Sequence, residues 1–541
     1  MDFDYIIIGA GSAGCILADR LSRDGKTKVL VLEAGGSDKR FWIKVPLGYG
    51  FTFSDPKVTW KYMTQPDPGL KSRPAYWPRG RVLGGSSSIN AMAYVRGLPK
   101  DFDDWEEAGA TGWNWEAVRR TYDALESHDE FAADGQRHIR GTGALRVSEL
   151  SRQMHPFSAR FIEAAQDLGW STPTDMNAPG AEGLSYYRST VRDGFRCSSA
   201  DAFLRPAMSR NTVRLETNAV VDRLVLDGTR ITGVCYRQGA QLKTATAKAE
   251  VILSAGAINS PQLLQLSGIG PASLLQSHGI PVVQDLPQVG QGLQDHLAIT
   301  HHFAATEPTL NNRLGGVLGQ VMAGVQYILT RKGPLSVPVN QVGGFVRSEG
   351  AINPPDMQIY CNPASYNPPV NGRPSLDKEA GFILSVQPCR PTSRGWVRIA
   401  SADPKKAPLI QPNSLSTQQD RDEAIAACKL LREIAKTPTI TRLTQTRCAP
   451  DVMGMSDDEM LENFQSRAAT NFHPTCTCRM GGTAADSVLD SRLRVHGVQG
   501  LRVVDASAFP NVTSGNTNAP TMMLALRAAD MILEDTQLGA L

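Results

Sequence analysis

Residues 4–33 carry the strongest constraint on the fold. They run as a strand-like apolar segment Asp4–Ile8, the turn Gly9-Ala10-Gly11-Ser12-Ala13-Gly14, a helix pattern Cys15–Ser22 and a second strand pattern Lys28–Leu32. That order is a βαβ unit, which demands a parallel sheet and a crossover helix. In Gly9-x-Gly11-x-x-Gly14 the glycines permit a tight turn, close backbone approach to a pyrophosphate and tight helix–strand packing. The helix start adds amide donors and a positive dipole end. Gly9, Gly11, Ser12, Ala13 and Gly14 are therefore candidate contacts of a dinucleotide. Glu33 follows Gly14 by 19 residues at the end of the second strand, with Ala34 next to it. A carboxylate there accepts from ribose hydroxyls and repels a 2′-phosphate, which favours FAD or NAD over NADP.

A chain of 541 residues exceeds the ~250–300 at which one hydrophobic core stops growing, so two domains are expected. The 56 Lys+Arg against 53 Asp+Glu leave +3, which gives no electrostatic case for nucleic acid; the expected ligand is small. Nine scattered cysteines have no framework spacing and read as reduced thiols. Cys476-x-Cys478 near His473 lacks the spacing and the fourth ligand of a zinc site, so no metal is expected. The chain begins directly on a strand pattern, without the charged and apolar regions of a leader, and no apolar run reaches about 18 residues. A cytoplasmic protein, at most peripheral to the inner membrane, is the expectation. Val317–Leu329 is apolar but short, and is interrupted by Gly319, Gln320, Gly324 and Gln326. It reads as a half-buried lid or domain helix, with an amphipathic helix on a membrane surface as the alternative. Oligomeric state, monomer or dimer, is not legible.

Further strand patterns lie at Thr212–Leu215, Ala219–Leu226, Ile231–Tyr236 and Glu250–Ser254, the last ending in the small-residue turn Ala255-Gly256-Ala257. Leu501–Val504 and a helix pattern from Pro520 to Glu534 close the chain. Between them stand a proline-rich block around 353–375, read as irregular, and an amphipathic helix Gln418–Lys436. The nucleotide-binding elements are therefore discontinuous. Gly80-Arg81-Val82-Leu83-Gly84-Gly85-Ser86-Ser87-Ser88-Ile89-Asn90 exposes successive amides and hydroxyls, as a second phosphate or flavin contact would.

That run, the block Gly256–Gly270, Gly292-Leu293-Gln294-Asp295-His296 and Val503-Val504-Asp505-Ala506-Ser507 together resemble the glucose–methanol–choline (GMC) family of FAD oxidoreductases along nearly the whole chain, most of all bacterial alcohol and choline dehydrogenases. The resemblance implies an α/β chain with a discontinuous Rossmann-like FAD-binding domain (1–158, 190–300 and 464–541). It implies a substrate domain (159–189 and 301–463) built on an antiparallel sheet flanked by helices. Arg81, Gly84, Gly85, Ser87, Asn90, Ala91, Val221, Ala255, Gly256, Asp505, Ala506, Asn518 and Pro520 would join the glycine turn in holding FAD. Ile89 stands where some members carry the histidine that bonds flavin, which implies noncovalent FAD.

Alcohol oxidation needs a base for the O–H proton while the C–H leaves as hydride, and neutral histidine suits that role. By resemblance the base is His473, in Asn471-Phe472-His473-Pro474-Thr475-Cys476, with Asn516 as its partner and with Asn471 and Phe472 in the substrate pocket. Cys476 replaces the usual small glycine and stands to narrow the neighbouring loop. His128, His138 and His155 lie in polar stretches, and His301 and His302 read as ordinary strand residues. Asn516 and Asn518 are also placed to cap the helix whose first turn holds Pro520. The implied activity is oxidation of a primary aliphatic or benzylic alcohol, with electrons passed to a quinone or dye. An O₂-using oxidase, a hydroxynitrile lyase-like enzyme, a light-driven fatty-acid decarboxylase and a binding module without chemistry are the alternatives. Choline-oxidising members carry an acidic residue after the Gln-Asp-His block; residues 297–304 contain none, although Asp356 or Asp377 could supply a charge and Phe51, Phe472 and Tyr366 a cage.

Overall fold

Strand Asp2–Ile8 lies between Val29–Glu33 and Gln241–Leu253 and parallel to both, as the βαβ pattern requires. The computed structural model describes residues 2–131, 135–352, 354–370, 373–447 and 452–538. Val213–Thr217 extends the sheet beyond Val29–Glu33. On the other side the 13-residue strand Gln241–Leu253 divides its length between two neighbours. Its first half pairs antiparallel with Arg230–Gln238, which carries Ala219–Asp227 at the edge, and its last residues pair parallel with Leu501–Val503. The central strands are apolar and buried on both faces, as expected for a sheet covered by helices on each side. Residues from both ends of the chain thus meet in one sheet.

The first helix, Ser12–Leu21, packs on the last, Asn518–Gln537, and the two are joined by Ser12 Oγ donating to Asn518 Oδ1 at 2.8 Å. A buried ion network ties the terminal elements to the sheet. The Arg502 guanidinium donates to Glu250 at 2.8 Å and 3.1 Å and to Asp535 at 2.7 Å. Arg502 is fully buried.

The second large sheet is antiparallel: Leu297–Ala305, Gly381–Pro388, Met357–Asn362, Val342–Val346 and Gly183–Tyr186 lie side by side. The helix Gln418–Lys436 forms where its apolar periodicity predicts, capped by the Thr417 hydroxyl, and buries Ala424, Ala427, Leu431 and Ile434. One expectation fails. The proline-rich block is not irregular, because Met357–Asn362 inside it is a fully buried strand within the second sheet, and Tyr366–Val370 and Arg373–Leu376 form a hairpin. Its prolines at 354, 355 and 363 flank the strand rather than interrupt it, so no ladder bond is lost. Residues 353, 371 and 372 of the block lie outside the described residues.

The helix Val317–Thr330 buries Ala323 and Tyr327 and leaves its other face exposed. Among the described residues no helix is long and apolar enough to cross a membrane.

Removing Arg502 leaves Glu250 and Asp535 as buried carboxylates without their shared cation. Arg502→Met should lower stability by about 3–5 kcal/mol, read as a clear fall in the apparent melting temperature. An unchanged melting temperature would contradict the network's role.

Candidate active site

A cavity of about 1650 Å³ takes its walls from both sheets: Ile8, Leu32 and Val221 from the first, Ala298, Thr300, His302, Tyr360 and Ile383 from the second. Single small-molecule pockets occupy roughly 300–1,000 Å³, so this cavity has room for a dinucleotide and a substrate together. Three helices begin on its wall, at Ser12, Gly256 and Asn518, and aim their amide ends at it. Such ends favour phosphates and developing negative charge.

The glycine turn packs backbone on backbone. A Cβ on Gly9 (φ +103°) would meet the Ser254 carbonyl oxygen at 2.4 Å, and one on Gly85 (φ +53°) would meet Gly11 Cα at 2.7 Å. A Cβ on Gly11, by contrast, has no neighbour nearer than 3.9 Å; Gly11 lines the cavity, so the space in front of it is the cradle. Glu33 accepts from the Ala10 amide at 2.9 Å and the Gly35 amide at 2.8 Å, and burial pushes its carboxyl up to about 7. Ser12, Ala13, Ala34, Asn90, Ala91, Val221, Ala255, Gly256, Ala506 and Asn518 also reach the wall, as does Ile89. Asp505 does too, but both its oxygens are taken: Oδ2 by the Gly256 amide (2.9 Å) and Ser260 hydroxyl (2.6 Å), Oδ1 by Ser507.

Gly14, Arg81, Gly84, Ser87 and Pro520 are not on the cavity surface. A Cβ on Gly14 would strike the Gly9 carbonyl at 1.9 Å, so its part is to let the helix approach the turn. Ser87 shares a hydrogen bond with Ser199 (2.8 Å) and donates to the Gly84 carbonyl (2.6 Å); its hydroxyl braces the turn rather than facing a ligand. Arg81 sits over the Trp60 ring at 4.8 Å. The capping expectation fails, because the last helix starts at Asn518 after Thr517 with no side-chain cap. Asn518 instead accepts from Ser12, and Asn516 points at His473.

His473, Asn516, Asn471 and Phe472 meet in the cavity wall. A chain of hydrogen bonds fixes the state of His473. His296 Nε2 lies 2.8 Å from the Cys389 carbonyl, which can only accept, so Nε2 carries the proton. Burial pushes His296 down to about 4, so it is neutral at pH 7 and its Nδ1 accepts. His473 Nδ1, 2.9 Å away, must then donate, which leaves His473 Nε2 as a lone pair, 3.3 Å from the Asn516 amide nitrogen. Burial, then the neighbouring His296 and Arg79, hold His473 well below the usual imidazole range. Asp295 anchors its backbone, accepting from the His473 amide at 2.7 Å. Asn516 is oriented in turn: its Oδ1 accepts from Gln358 (3.4 Å) and Tyr360 (3.5 Å).

The His473 loop stores backbone strain. Phe472 (φ 64°) and Cys476 (φ 72°) both occupy the left-handed region, which costs a side-chain-bearing residue about 1–3 kcal/mol. A glycine at 476 would be relaxed there. Cys476 instead buries its sulfur near Gln294 Oε1 (3.3 Å) and Thr475 Oγ1 (3.1 Å).

Sequence reasoning missed several members of this cluster. His296 was legible only as part of a block, Asp295 likewise, and Arg79, which donates to the Phe472 carbonyl at 2.7 Å, only as a flank of the Gly80 turn. His302, read as an ordinary strand residue, lines the cavity because alternation along Leu297–Ala305 turns Ala298, Thr300 and His302 to one face. His128, from a polar stretch, is buried with its Nε2 2.6 Å from Glu126. Among the described residues no cluster that could hold a metal occurs.

The sequence profile of the GMC oxidoreductases matches residues 3–298 with its N-terminal part and 391–525 with its C-terminal part. The chain belongs to the GMC oxidoreductase family. It is 41% identical over 539 residues to mitochondrial choline dehydrogenase of Homo sapiens, covering 98% of this chain and 90% of that protein. It is 40% identical over 543 residues to the alcohol dehydrogenase [acceptor] of Pseudomonas putida, covering 100% and 97%. The structure of pyridoxine 4-oxidase from Mesorbium loti superimposes with a TM-score of 0.87 at 30% identity, over 98% of this chain and 99% of that one. The protein is therefore an FAD-binding GMC oxidoreductase, of a family whose members oxidise alcohols. The cavity fits FAD in size and lining: three helices begin on its wall, Gly11 leaves open space before it, and Glu33 lines it beside the glycine turn.

Gly9→Ala and Gly11→Ala separate fold from cofactor. Gly9→Ala should destabilise the apoprotein by about 1–3 kcal/mol, whereas Gly11→Ala should leave apoprotein melting unchanged and reduce bound FAD. Equal effects on melting would contradict the assigned cradle.

Proposed function

We propose that this GMC oxidoreductase oxidises a neutral primary alcohol, aliphatic or benzylic, to the aldehyde, with noncovalently held FAD. The observation that carries the proposal is the unprotonated His473 Nε2 in the cavity wall, beside an oriented Asn516 amide. FAD, when bound, supplies the hydride acceptor. His473 takes the hydroxyl proton at Nε2, and its Nδ1–H stays bonded to His296, so the ring cannot turn as it gains charge. Asn516 Nδ2 has two N–H bonds; one reaches His473 and the other is free to donate to the alcohol oxygen. Phe472, packed edge-on against Phe53 at 5.5 Å, walls the pocket with Asn471.

A neutral substrate is favoured by charge. The carboxylates on the cavity surface are Glu33, at the dinucleotide turn, and Asp505, whose oxygens are already bonded, among the described residues. Asp356 and Asp377 are not on the wall, although Asp377 acts on His302. Cations there include Arg79, Lys378 and Arg467. A trimethylammonium head would be desolvated among like charges, with only rings such as Phe472 and Tyr366 in compensation. Electrons are proposed to leave to a quinone- or dye-type acceptor; the P. putida relative is an alcohol dehydrogenase [acceptor].

Ile89, buried on the cavity wall, offers no nucleophile to the flavin, so acid precipitation should release all FAD to the supernatant; colour retained in the pellet would mean a covalent link. His473→Ala should slow anaerobic flavin reduction by ~10²–10⁴-fold with FAD content unchanged. Because His473 is held below its ordinary range, the parental rate should be flat above pH ~6.5 and fall only at lower pH; an acid limb above pH 7 or a parental rate in the variant would refute the base. The kcat/KM for 3,3-dimethyl-1-butanol should exceed that for choline, by ~10-fold for each 1.4 kcal/mol of uncompensated desolvation. A preference for choline would overturn the neutral-alcohol reading, and no flavin bleaching by any alcohol would leave the lyase reading in its place.

A further inference from the structure

We infer that the protein docks on the surface of an anionic phospholipid bilayer through the helix Val317–Thr330 and the aromatic residues beside it, with the mouth of the cavity opening into the lipid. The inference does not depend on the reaction assigned above. Leu318, Val321, Met322, Val325, Ile328 and Leu329 recur at helical spacing along one face, each between 52% and 77% exposed. The helix has no charged residue, and its opposite side holds it to the protein through Ala323 and Tyr327. Its 14 residues span about 21 Å at 1.5 Å per residue, short of the ~30 Å of a hydrocarbon core, so it can lie in the interface but not cross. A contiguous exposed apolar face of this size marks an interaction surface.

Charge selects lipid as the occupant. From 308 to 346 the chain contains Arg313, Arg331 and Lys332 and no acidic residue. Arg313 donates to Gln326 and Arg331 lies over the Phe195 and Tyr327 rings; among the described residues none of the three cations is paired with a carboxylate. An uncharged apolar stripe with cations at its ends is the pattern of an interfacial helix on anionic headgroups. Aromatic side chains extend the surface. Phe195 packs on Tyr327, and Arg196 donates to the Ile43 carbonyl at 2.9 Å, which brings the segment of Phe41 and Trp42 alongside. Trp42 stacks on Phe51 at 4.4 Å, and Phe41, Trp42 and Phe51 are 51%, 41% and 39% exposed. Exposed aromatics of this kind settle at headgroup level.

The cavity distinguishes lipid from a second copy of the chain. Gln320 and Gly324 of the helix and Phe41, Trp42 and Phe51 all belong to its wall, and all but Gly324 are exposed, so part of the cavity's rim lies within the apolar surface. A protein partner on that surface would close the mouth. A lipid leaflet would cover it with the phase in which apolar reactants dissolve.

The test is co-sedimentation of the FAD-loaded enzyme with vesicles of phosphatidylcholine alone or mixed equally with phosphatidylglycerol. The enzyme should pellet with the anionic vesicles at low salt and be released by high salt. Val325→Glu with Leu329→Glu should weaken binding at least about tenfold, and Arg331→Gln with Lys332→Gln about fivefold for each cation removed. FAD content and dye-linked turnover in solution should not change. Should the glutamate pair misfold, brominated lipid must still quench part of the fluorescence of the unaltered enzyme, and less of it in Trp42→Phe. Absence of binding and quenching, or a dimer in light scattering that the glutamate pair splits, would overturn the inference.

Discussion

Everything in this protein depends on four stretches of chain approaching one another backbone to backbone. Gly9 abuts the Ser254 carbonyl, Gly35 the Arg81 carbonyl and Gly85 the Gly11 Cα, at distances of 2.0–2.7 Å from where a Cβ would sit. No side chain fits in those gaps, so the residues around 9, 35, 84 and 254 pack into one wall, with the amides of Gly9, Gly35, Gly84 and Ser254 bonded within it. The two-faced burial of the central strands holds that wall rigid. The Arg502 network brings the last strand and helix onto the same sheet, and with them the turn that carries Asn516.

A buried relay prepares the chemistry on this wall. Histidine alone would be ambiguous, because either nitrogen can hold the proton. Here a carbonyl that can only accept, at Cys389, sets His296, and His296 sets His473. The direction of every bond follows from that one acceptor. Burial keeps both rings neutral, and Arg79 adds a charge that opposes protonation at rest. The strained φ angles at Phe472 and Cys476 are paid for by the hydrogen bonds around them, with the Asp295 carboxylate and the Arg79 guanidinium holding the loop.

Local patterns made much of this legible in the sequence. The glycine turn, the alternating apolar runs of the first sheet and the helix Gln418–Lys436 follow from periodicity and backbone geometry, which neighbours in sequence determine. His473 and Asn516 stood out through their resemblance to a family, and folding brings them within 3.3 Å across 43 residues. What stayed hidden depends on distant partners. His296 acquires its meaning from Cys389, 93 residues away. Asn518 looks like a helix cap until Ser12, from the other end of the chain, supplies its hydrogen bond. Met357–Asn362 was masked by its flanking prolines, since composition averaged over a block hides a strand that begins after one proline and ends before the next.

The central claim is that His473 is neutral at pH 7, with its proton on Nδ1 and its lone pair on Nε2. Nitrogen-15 NMR of the histidine-labelled holoenzyme, assigned with His473→Ala and His296→Ala, measures this directly. A pyrrole-type, protonated Nδ1 and a pyridine-type, unprotonated Nε2 are expected for His473, with the reverse tautomer for His296. An imidazolium at His473, or a proton on its Nε2, would contradict it.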